Sequence, residues 1–171
     1  TIYRGHAATE ASRRFIFVDE TDGSAWFSVR PVPGSPQVFL ARYDSETNQV
    51  EEQAVRLPSG YTAVRGGTEH PDPLGRFYGV SDGRLLRFEP AERTVAPLGL
   101  LWPKRHDTKA DPASPSAPGA YTTVLEISPG GRYLYAIPNA HGHAWQDGAP
   151  VLQFDTRTGV CKVLAFLGPI F

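Results

Sequence analysis

The sequence predicts an all-β fold made of four-stranded antiparallel units, the blades of a β-propeller. Three observations carry this expectation. One strand pattern, an apolar run closed by an aromatic and an acid, occurs three times: Phe39-Leu40-Ala41-Arg42-Tyr43-Asp44, Arg84-Leu85-Leu86-Arg87-Phe88-Glu89 and Val151-Leu152-Gln153-Phe154-Asp155. Its aromatics stand 45 and then 66 positions apart, and strand-built repeats of that period read as propeller blades. Helix signals are nearly absent beyond a turn or two at Ala7–Arg14, while 17 Gly and 16 Pro suit many short strands and turns.

The elements follow in order. Before each acidic strand lies a shorter aromatic one: Trp26-Phe27-Ser28-Val29, Phe77-Tyr78-Gly79-Val80 and Leu134-Tyr135-Ala136-Ile137. Its alternation of apolar and small residues predicts a half-buried strand. Ahead of it stand Thr21-Asp22-Gly23-Ser24, Asp72-Pro73-Leu74-Gly75-Arg76 and Ser128-Pro129-Gly130-Gly131-Arg132. Pro presets φ and Gly accepts positive φ, so these are tight hairpin turns. A second turn follows each acid, and a last strand begins near Val50, Val95 and Val160. The organisation is therefore a stub over 1–15, blades over 16–57 and 61–101, a Pro/Ser/Ala-rich connection over 102–120, a blade over 121–167 and a short end over 168–171.

Bulk properties narrow the function classes. A net charge of −1, from 17 basic and 18 acidic residues, gives no electrostatic ground for nucleic-acid or anionic-membrane partners. No apolar run is long enough to span a bilayer. The single Cys161 excludes an internal disulfide, a Cys-rich zinc site and covalent c-type haem. Methionine is absent, so the chain is expected to have lost its N-terminus by signal-peptide cleavage, other proteolysis or excision. That favours an exported, periplasmic or extracellular protein.

The S-P-x-G-R turn followed by Y-x-Y-x-I, together with the F-D-x-x-T-G of the third unit, resembles the blades of bacterial multi-bladed propellers of the lactonase-like, NHL-type and YVTN-type groups. The resemblance spans almost the whole chain and implies a fold rather than an activity. No W-D dipeptide closes the third strands. Three blades do not close a ring, since propellers use about 4–8. The expectation is part of a larger propeller, with seven blades the leading number. Its partners are then the remaining blades, or further copies of the chain.

Candidate chemistry lies where the repeat fails. The connection between second and third strands varies in length, and in a propeller it emerges on one face with the inter-blade connections. Loops on a rigid scaffold are where sites are built. The third such loop reads Pro138-Asn139-Ala140-His141-Gly142-His143-Ala144-Trp145-Gln146-Asp147-Gly148. His-x-His can present two imidazoles to one divalent metal. The preceding connection supplies Arg105, His106 and Asp107 to the same face. His106, His141 and His143 are the candidate metal ligands, with Asp107 or Asp147 as a carboxylate partner. Trp145, Asp147 and Arg105 are the candidate ligand contacts. Against this stands the plain alternative of a solvated or hydrogen-bonded loop with Trp145 packed on the blade. Glu69 and His70 form a possible acid/base pair by the channel, with a hydrogen-bonded structural histidine as the alternative.

Asp44, Glu89 and Asp155 hold matching positions, which speaks for a structural task such as accepting turn amides. Tyr43, Phe88 and Phe154 are expected in inter-blade cores, and Cys161 as a small buried hydrophobe. No phosphate loop, nucleophile elbow or metallopeptidase motif occurs. The sequence thus points to a module recognising a carbohydrate, another small molecule or a protein. The alternative is a metal-dependent propeller enzyme, of lyase or lactonase type, acting on a sugar-derived acid.

Overall fold

The computed structural model describes residues 16–30, 36–61, 63–81, 83–101, 122–138 and 149–167. They form three four-stranded antiparallel sheets, each with its strands in chain order. The first holds β1 (Phe17–Asp19), β2 (Ser24–Val29), β3 (Phe39–Asp44) and β4 (Gln49–Arg56). The second holds β5 (Gly66–Gly67), β6 (Phe77–Ser81), β7 (Arg84–Glu89) and β8 (Thr94–Leu100). The third holds β9 (Thr122–Ile127), β10 (Tyr133–Pro138), β11 (Ala149–Asp155) and β12 (Cys161–Leu167). No helix occurs among the described residues.

The repeat read from the sequence is a repeat of register. Tyr43 pairs with Val50, Phe88 with Val95 and Phe154 with Cys161. Each outer pair also breaks register near one level: between Leu40 and Arg42, Leu85 and Leu86, and Val151 and Leu152. Such irregularities sharpen the strand twist locally. The hairpin turns are as expected. Gly75 and Gly131 take φ of 74° and 69°, and their amides donate to Asp72 and Ser128 carbonyls, each at 2.8 Å. At Gly131 the neighbouring turn also presses in: an added Cβ would lie 2.9 Å from Pro73 Cδ.

Two apolar cores separate the sheets. Between the first and second lie Phe17, Trp26, Leu40, Val55, Val64, Phe77, Leu86 and Phe88. Phe88 meets the edge of Trp26 at 4.7 Å and stacks on Phe17 at 5.4 Å between centroids. Gly79 makes that approach possible, because a Cβ there would sit 2.9 Å from Val64 Cγ1 and 3.0 Å from Phe17 Cζ. Between the second and third lie Tyr78, Val80, Leu85, Leu101, Leu125, Leu134, Ala136, Leu152 and Phe154. Burial of this many large side chains, at roughly 1.5–3 kcal/mol each, is the main force holding the sheets together.

Two expectations need correction. β2 and β6 are buried along their whole length, not half-buried. Only β10 alternates: Leu134 and Ala136 are buried, Tyr135 and Ile137 half-buried. Tyr43 holds the register position of Phe88 and Phe154. Among the described residues it packs beside Phe27, Val29 and Ala41 of its own sheet. Cys161 is half-buried and not fully so; its Sγ lies 3.1 Å from the Leu101 carbonyl oxygen, and burial pushes its thiol pKa up. The Ala7–Arg14 segment lies outside the described residues.

Candidate functional site

The antiparallel winding divides the connections between two ends of the sheets. At one end emerge the β2–β3, β6–β7 and β10–β11 connections and the links between sheets. The third sheet brings two of these together, since Pro138, where the β10–β11 connection departs, pairs with Thr122, where the inter-sheet link enters β9. Both segments that carry the predicted site thus attach to neighbouring strand ends. The site residues themselves, Arg105, His106, His141, His143, Trp145 and Asp147, lie outside the described residues, as does Asp107. Among the described residues no group of three or more His, Cys, Asp or Glu side chains could hold a metal. Glu69 and His70 are exposed in the β5–β6 connection, at the opposite end.

At that opposite end several carboxylates are bonded to arginines and to the backbone. Asp44 accepts from the amides of Glu46 and Thr47, both at 3.0 Å, and from Arg42. Asp155 accepts from Arg157 and Thr158 amides and from Arg132. The Thr47 amide and then Arg42 hold the Asp44 carboxyl below its usual range, and the Arg157 amide, with Arg132, does the same for Asp155 against burial. The expected structural task is therefore what Asp44 and Asp155 perform. Glu89, one methylene longer, takes Arg87 at 2.9 Å instead. Arg42 also reaches Asp22 at 3.0 Å, and Asp22 accepts the Ser24 amide at 2.8 Å.

Sequence reasoning missed the most developed polar centre, Asp72. Its side chain is fully buried. Oδ1 accepts the Leu74 and Arg76 amides at 2.9 and 3.0 Å; Oδ2 accepts Arg76 Nε at 2.7 Å and the Tyr78 hydroxyl at 2.9 Å. Burial opposes its charge, yet the Arg76 and Tyr78 bonds outweigh burial and keep the carboxyl below the ordinary range. Tyr78 is pushed up to about 12, first by burial and then by donating to Asp72. This centre ties a turn to a strand and leaves no carboxylate oxygen open to a substrate. The available signal was Asp72 followed four residues later by Arg76.

Comparison with known proteins bears on the architecture. No protein-family model and no curated protein sequence matches the chain. Among solved structures, an oligogalacturonate lyase from Vibrio parahaemolyticus is similar, with a TM-score of 0.54 and 13% sequence identity. The match covers 91% of this chain and 40% of that one. The three sheets are β-propeller blades. At this identity the likeness shows the fold alone, and no family match supports the NHL-type or YVTN-type naming. The chain spans two-fifths of the length of the lyase.

Proposed function

We propose that the chain is a ligand- or protein-recognition unit of a larger β-propeller, with the β2–β3, β6–β7 and β10–β11 connections as its recognising surface. The observation that carries this reading is the contrast between scaffold and connections. The blades repeat in register down to the position of one irregularity, while those three connections run over 30–38, 82–83 and 139–148. A rigid repeat with variable loops is the usual arrangement of a binding surface. The described carboxylates support it too, because Asp22, Asp44, Asp72 and Asp155 are committed to turn amides and arginines.

A second reading is a metal-dependent lyase acting on a sugar-derived acid. What supports it is the His141-Gly142-His143 text of the third loop, on a fold shared with an oligogalacturonate lyase. His106, His141 and His143 would hold a divalent metal, which supplies Lewis-acid stabilisation of a developing enolate. Elemental analysis of the purified protein separates the two. The recognition reading expects no stoichiometric metal in the wild type. One metal per chain, lost when His141 and His143 are both changed to alanine, would replace it with the lyase reading.

A further inference from the structure

In the two inter-blade interfaces, equivalent positions do the same work. The first blade turns Trp26, Ser28 and Leu40 toward the second, and the second turns Tyr78, Val80 and Leu85 toward the third. All six are at most 2% exposed. The register assigns their equivalents in the third blade to Tyr135, Ile137 and Val151. Like Tyr78, Val80 and Leu85, these are one aromatic and two large apolar side chains, and all three are only half-buried. Val124, paired with Ile137, and Leu167, two positions beyond the partner of Val151, share this face by register, and both are exposed. In β4, by contrast, the exposed positions are Gln49, Glu51, Gln53 and Arg56. An apolar sheet face left open to water marks an interaction surface.

We propose that this outer face of the third sheet is a blade-docking face, and that its occupant is a further four-stranded blade of the same polypeptide. The argument is continuity with an established interface: the face repeats, position for position, the two that already bury a following blade. That continuity also states the chemistry of the occupant. It presents a row like the one the third blade turns on the second, namely Leu134, Ala136, Leu152 and Phe154. Glu126 and Gln153 flank Tyr135 on the face, and Gln153 donates to the Tyr135 hydroxyl at 3.1 Å. This inference rests on the propeller reading above, and is independent of whether a metal binds.

Hydroxyl-radical footprinting tests it in the polypeptide as its gene encodes it, with Tyr78 as the protected standard and the exposed Leu74 as the reactive one. The expected result is loss of Tyr135 labelling to the Tyr78 level, and return of that labelling in Val151→Lys with Tyr78 still protected. Labelling of wild-type Tyr135 at a rate approaching that of Leu74 overturns the proposal. Protection that appears in the 171-residue chain alone and vanishes on dilution also overturns it, because a second copy is then the occupant. Labelling of Tyr78 itself would instead refute the packing of the second blade on the third, and with it the propeller reading.

Discussion

The hairpin turns of the second and third blades share a text and differ in wiring. Asp72-Pro73-Leu74-Gly75-Arg76 closes on itself: Arg76 returns to Asp72, and Tyr78 joins them from the next strand. In Ser128-Pro129-Gly130-Gly131-Arg132 the first residue is a neutral hydroxyl, which accepts the Tyr133 amide at 3.0 Å. Arg132 has no carboxylate within its own turn and reaches Asp155 across the sheet. One turn thus buries an ion pair, and the other leaves its arginine largely in water and fastens two turns together. The backbone conformation is fixed by Pro and Gly in both. The residue opening the turn decides where the charge is neutralised.

The comparison breaks most severely at Asp72. Asp72→Ala leaves Arg76 and Tyr78 facing a vacated buried site, and it is expected to cost about 3–5 kcal/mol in urea denaturation. Tyr78→Phe removes one charge-assisted bond and keeps the ring in the core; the expected loss is about 1–3 kcal/mol by the same measurement. The raised Tyr78 pKa gives an alkaline signature. The folded state favours the neutral phenol, so its contribution is full below pH 10 and is lost as pH rises toward about 12. Tyr78→Phe should flatten that part of the stability profile. Arg132→Ala is the mildest change, since the pair it breaks is exposed and screened by solvent; thermal melting should barely move. Salt should weaken the Arg132 pair more than the Asp72 centre.

Legibility followed the locality of each interaction. Asp44 and Asp155 could be read as amide acceptors because their partners lie two and three residues on. The succession of strands within each sheet was readable for the same reason: its tight turns are local. Asp72 was not readable as a centre, because its environment depends on Tyr78 and on burial between two blades. Nor was the complete burial of β2 and β6, where Ser24, Ser28 and Ser81 lie in positions that look solvent-facing. Gly79 carries the same lesson, since its missing side chain is explained by Phe17 and Val64 from other strands. The candidate site could be read only as an interruption of the repeat. Its residues, from Arg105 to Asp147, lie in connections whose local text says little about what their side chains meet.

The account's central claim about the described acids is that they serve the fold, with Asp72 the strongest case. The unfolding free energy of the wild type and of Asp72→Asn, followed from neutral pH down to about pH 2, tests it directly. Asp72 is held below its ordinary 3.8, so its contribution is present above that value and is lost as pH falls through the lower folded pKa. The account predicts a wide gap between the two proteins at neutral pH that closes in acid as the wild-type carboxylate takes up its proton. A gap that stays constant across the range would contradict it.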